Sequence, residues 1–142
     1  MLYGQDRREH RAIFFRAWRK HIESQPLEGA ERTIVAVALR HPEYRHLLAN
    51  AETGRERDWL PEQGENPFLH LGLHIAIEEQ LALDQPRGIR AQYAELCRRL
   101  ADEHSAQHEM MECLGEALWQ AQRAGTPPDA QAYLDCLTRR AR

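Results

Sequence analysis

Apolar positions recur along this chain at steps of three and four residues, the spacing of one face of an α-helix, and nowhere sustain the alternation of a strand. Asp6 is a good N-cap, and Ile13, Phe14, Ala17 and Trp18 form a stripe that ends at Ser24-Gln25-Pro26, so a first helix is predicted from about Asp6 to Glu23. A second follows Pro26 and carries Ile34, Val35, Ala38 and Leu39. It closes at His41-Pro42, because a residue preceding proline is pushed out of the helical region. Residues 42–66 read as a long connection in which 43–50 has room for two helical turns. Asn66-Pro67 starts a third helix running to about Asp84, apolar on nearly every side and therefore buried. Helical pattern resumes from Ile89 to Arg123, with Asp102 able to cap a new helix, so one helix or two stays open there. A last helix spans about 129–139.

Composition agrees with the pattern. Ala, Leu, Glu and Arg supply about half of the 142 residues, and no repeat or low-complexity tract appears. The expectation is an all-α, single-domain helical bundle of about four to six helices. A net charge of -3 lacks the basic excess that phosphate-backbone binding demands, which argues against a nucleic-acid partner. No apolar run reaches the ~18 residues of a membrane span and the N-terminus is charged, so a cytoplasmic protein without membrane association is expected. Cys97, Cys113 and Cys136 are odd in number and have no CxxC spacing, and are read as reduced thiols.

Two segments share one spacing: His70-x-x-x-His74-x-x-x-Glu78 and His104-x-x-x-His108-x-x-x-Glu112. With 8 His in the chain, only about 0.05 such triplets are expected by chance. Helical residues four apart share a face, so each triplet makes a ladder of donors that drifts slowly around its helix. On the third helix His70, Leu73, His74, Ile77 and Leu81 share the inward side. On the fourth, Tyr93, Cys97, Leu100, His104, His108 and Met111 do. Imidazoles and carboxylates on apolar faces are costly unless each is hydrogen-bonded or bound to a cation, and a metal ion satisfies them together.

The preferred reading is a dinuclear site, each ion taking about two His and a carboxylate, a donor set that favours non-haem iron and admits manganese or zinc. A ladder ~12 Å long has room for two ions. The close competitor is one ion on the four His, with Glu78 and Glu112 fixing tautomers from outside. Glu31, among Ile34, Val35 and Ala38, is a further candidate ligand from another helix. His10 and His21 read first as packing residues, His41 as a helix C-terminal histidine favoured by the dipole, and His46 as exposed. Arg7, Arg8, Arg11, Arg16, Arg139, Arg140 and Arg142 read as solvated, and Cys113 as packing. HExxH is missing, which excludes a zincin peptidase.

The segments YGQDR (3–7), HPEY (41–44), NPFLHLGLHIAIEEQ (66–80), DQPRGIR (84–90), HEMMECLGEALWQAQR (108–123) and PDAQAYL (128–134) resemble a bacterial family catalogued only as a domain of unknown function. That resemblance covers essentially the whole chain and implies no activity. The HxxxH and HxxxE pairs also look like those of hemerythrin-like di-iron bundles and metal-dependent DinB-like bundles, but the step of four departs from the ferritin-like ExxH, which speaks against ferroxidase chemistry. The expected function is therefore metal binding for O2 or redox chemistry on a small molecule, or for sensing. The alternative is a non-catalytic interaction or structural domain holding a polar network or a single zinc. A homodimer fits either reading.

Overall fold

The computed structural model describes the backbone of residues 7–50 and 66–142, and side chains from residue 11 onward. Along the chain come α1 (Arg7–Ile22), α2 (Ala30–Leu39), a 3-10 turn (Pro42–Tyr44), α3 (Arg45–Ala49), α4 (Pro67–Leu83), α5 (Ile89–Leu100), α6 (Glu103–Ala124) and α7 (Ala130–Arg140). Among the described residues there are helices and no strand, so the fold class is all-α, with seven helices instead of four to six. Two local causes raise the count. Pro42 opens a 3-10 turn that feeds a separate short helix, and the pattern from 89 to 123 is two helices. Ala101 ends α5 in the left-handed region (φ 55°), and the Asp102 carboxylate accepts the Ser105 N–H at 2.9 Å to start α6. Asn66 caps α4 as its sequence predicts, accepting the Phe68 N–H at 2.9 Å.

The chain divides into two compact units, 1–75 and 76–142, and the boundary falls inside α4 between Ile75 and Ala76. In the first unit α1, α2, α3 and the start of α4 bury Phe14, Trp18, Ile34, Val37, Leu48, Phe68 and Leu71. Phe68 anchors this core, meeting Phe14 and Phe15 edge-to-face with ring centroids 5.7 Å apart in both cases. Arg11, expected in solvent, is buried instead, with its guanidinium 4.7 Å from the Phe68 ring centroid. A delocalised cation over an aromatic face can leave water at lower cost than a bare ammonium.

In the second unit α5, α6 and α7 pack on one another around Ile89, Leu96, Met110, Leu114, Ala117 and Leu137. Tyr133 of α7 donates to Gln80 Oε1 of α4 at 2.7 Å, and Gln92 of α5 donates to Thr138 of α7 at 2.8 Å. Arg140 is not a solvated charge, since it is held by Glu109 and Glu112 of α6. The inward face of α6 also differs from expectation. It runs through Ala106, Gln107, Met110, Cys113 and Ala117, leaving His104 and His108 half-buried. The break at Ala101-Asp102 resets the helical phase, so a stripe counted through from Tyr93 is misaligned after it.

Cys113 and Cys136 form a disulfide between α6 and α7, which overturns the reading of both as reduced thiols; Cys97 is free. The two lie 23 residues apart on different helices, a pairing that local spacing does not reveal. Disulfides persist mainly in oxidising surroundings, which weighs against the cytoplasmic expectation. No helix among the described residues is long and apolar enough to cross a membrane. Denatured protein is expected to show a single reactive thiol before reduction and three after it. Replacing Cys113 and Cys136 by serine is expected to lower unfolding stability by about 3 kcal/mol, from the entropy of closing a loop of this length. Equal thiol counts before and after reduction would contradict the pairing.

Candidate metal site

The site builds up from His41, which follows the last turn of α2. It is 2% exposed, and its Nδ1 lies 2.8 Å from the carbonyl oxygen of Val37, one turn back. A carbonyl only accepts, so Nδ1 carries the hydrogen and Nε2 carries the lone pair. Tyr44, on the 3-10 turn, stacks on the His41 ring with planes 4° apart and centroids at 5.6 Å. Together the carbonyl and the stacked ring hold the imidazole in one tautomer and one plane, which is how proteins orient a histidine for a cation.

Within α4, His70 and His74 stand one turn apart with ring centroids at 4.9 Å. His74 is fully buried and its ring centroid is 4.7 Å from that of His41. His70 Nε2 lies 3.2 Å from His41 Nε2, and the tautomer fixed by Val37 makes His70 the donor. At the start of α6, His104 and His108 are likewise one turn apart, with ring centroids at 4.2 Å. The Nε2 atoms of His74 and His108 have no solvent contact. Gln107, the residue before His108 on α6, is buried and donates to Glu78 Oε1 at 2.8 Å. The Tyr93 hydroxyl meets Gln107 and Cys97, and desolvation together with the neighbouring Cys97 pushes this phenol well above its usual range.

His41, His74, His104 and His108 each offer one ligand atom, and these four atoms lie within 4.8 Å of one another, a group that can hold a metal ion. Three of its members, His74, His104 and His108, are legible from the paired HxxxH spacing. His41 is not, because its apparent role as a helix-ending residue before proline was sufficient to account for it. The signal that marks it is its place in HPEY, one of the segments that carry the family resemblance.

The other candidates stand elsewhere. His70 touches His41 but is outside the group of four. Glu78 is occupied by Gln107. Glu112 has a 64% exposed side chain and pairs with Arg140. A step of eight residues turns about 80° around a helix, enough to carry a third rung off the face that bears the first two. Glu31 is buried beside α1, where its carboxylate takes Lys20 Nζ at 2.9 Å, Arg16 Nε at 3.5 Å and the Glu28 N–H at 2.9 Å. His21 packs on Trp18 with centroids at 5.3 Å, and His46 is exposed as read. The His10 side chain lies outside the described residues.

An all-α protein with a cluster of buried and half-buried imidazoles is the class that these features define. The chain matches the family described as a domain of unknown function, DUF1841, over residues 6–139, and belongs to that family. No curated protein and no solved structure matches it. The family carries no activity to transfer, and the likeness to hemerythrin-like bundles finds no carboxylate among the four clustered donors.

Lys20, the Glu28 N–H and Arg16 hold the Glu31 carboxyl below its ordinary value of 4.5. Because the folded value is the lower one, the stabilisation is present above about pH 4.5 and is lost as pH falls through that depressed value. Glu31→Gln is therefore expected to flatten the fall in melting temperature below pH 4.5 while leaving metal content unchanged. Loss of metal in that variant would return Glu31 to the ligand set.

Proposed function

We propose that the chain binds a single divalent transition-metal ion through His41, His74, His104 and His108 and presents it to O2 or a small molecule for redox or Lewis-acid chemistry. The observation that carries this is the mutual proximity of four imidazole ligand atoms, two of them on buried residues. Neutral imidazoles suit zinc, copper, nickel or iron, so iron stays within the reading. A two-iron version needs carboxylates at the ions. The engagement of Glu112 by Arg140 and of Glu31 by Lys20 supports the single-ion version instead. An ion held there would supply Lewis acidity or an electron to a ligand at an open coordination position.

A second reading, a structural zinc, draws on the burial of His41 and His74, since structural zinc sites are closed four-ligand tetrahedra. Chelation separates the two. A structural ion makes the fold chelator-sensitive, whereas a reactive ion is expected to leave the helical content nearly intact when it is removed.

Metal analysis of the purified, reconstituted protein tests the ligand set. The wild type is expected to carry a single ion per chain. His41→Ala and the pair His74→Ala, His108→Ala are each expected to lose more than about a hundredfold in affinity, beyond the range of outer-shell changes. His70→Ala and Glu112→Gln are expected to keep the ion. Two ions per chain, or loss of metal in Glu112→Gln, would restore the dinuclear reading, and no metal in any reconstitution would end both.

A further inference from the structure

His70 touches a proposed ligand without belonging to the group of four, and it does so at the atom an ion would need. Resting on the proposed metal site, we infer that His70 sets its affinity: the hydrogen bond from His70 to His41 has to break before an ion can bind, which holds the site below the affinity its four imidazoles would otherwise give.

The residues that carry this inference all lie in the first unit. The Val37 carbonyl takes the Nδ1 hydrogen of His41 at 2.8 Å, so the lone pair is on Nε2. Tyr44 lies parallel to the same ring, and turning the imidazole to present Nδ1 would break both the stack and the Val37 bond. His41 therefore has Nε2 to offer an ion. That atom already accepts the His70 Nε2–H at 3.2 Å. His70 approaches with its ring at 77° to that of His41 and centroids 5.0 Å apart, while the rings of Tyr44 and His74 flank it at 6.0 and 4.9 Å and keep the donor aimed. His41 is 2% exposed, so water does not readily replace a donor taken from it. The hydrogen bond thus stabilises the ion-free protein and contributes nothing once Nε2 is on an ion. A contact made in one state and lost in the other lowers affinity by its own free energy.

Zinc titration against a chromophoric chelator tests this in the full chain. His70→Phe and His70→Leu keep an apolar side chain in the space and remove the donor, whereas His70→Gln keeps an N–H. Both apolar variants are expected to bind zinc about fivefold more tightly than the wild type, the factor set by one ordinary hydrogen bond. His70→Gln is expected to stay within about twofold of the wild type, because its amide can still donate. Thermal unfolding supplies a readout that a packing role would not move. The apolar variants are expected to melt lower than the wild type when ion-free and to regain most of the difference when saturated with zinc, since the hydrogen bond is then missing from every loaded protein. A residue that merely packs would lower both states alike. Zinc affinity unchanged or weakened in both apolar variants, with one ion still bound, would overturn this inference and leave the metal site standing. A wild type that takes up no zinc or other divalent transition metal would overturn the site, and the inference with it.

Discussion

Burying an imidazole is tolerable only when both of its nitrogens are accounted for, and two rings with almost no solvent contact, His41 and His74, impose that condition on this structure. The Val37 carbonyl answers for one nitrogen of His41 and in doing so fixes the tautomer. Everything around the ring follows from this. The carbonyl is available because α2 ends there, α2 ends there because Pro42 follows, and the same proline opens the turn that stacks Tyr44 on the imidazole. A helix terminus, normally a place of unsatisfied carbonyls, is thereby turned into an orienting device.

The histidines of α4 and α6 are positioned differently, by helical repeat alone. A step of four residues keeps two rings together on a face, as the centroid separations of 4.9 and 4.2 Å record. A step of eight turns about 80° further, which carries Glu78 away from His70 and Glu112 away from His104. Glu78 ends on the Gln107 amide and Glu112 on the Arg140 guanidinium. The sorting is not by residue type alone, because His70 of the first triplet stands outside the group of four, on His41.

The same distinction explains what was legible in the sequence. Helix type and most boundaries could be read, because Asn66-Pro67, Pro42 and the apolar periodicity act locally, through backbone groups within a few residues. The paired HxxxH spacing was legible for the same reason. What escaped depends on contacts distant in sequence. The pairing of Cys113 with Cys136 needs α6 and α7 folded against each other, and the burial of Arg11 needs the Phe68 ring to arrive from another helix. The face of α6 escaped through a single residue, since the left-handed Ala101 shifts the phase of all that follows.

His70 shows why proximity alone does not define a ligand set. Its Nε2 is 3.2 Å from His41 Nε2, close to the spacing of two donors on a common ion with metal–nitrogen bonds of ~2.0–2.1 Å. Yet the tautomer of His41 makes that contact a hydrogen bond directed at the lone pair a cation would need. An ion bound at His41 would therefore need the pair of electrons that His70 now engages. The hydrogen bond from His70 keeps this buried acceptor satisfied and helps to hold the His41 ring in its orientation, and an ion bound at His41 would need His70 to give up that contact.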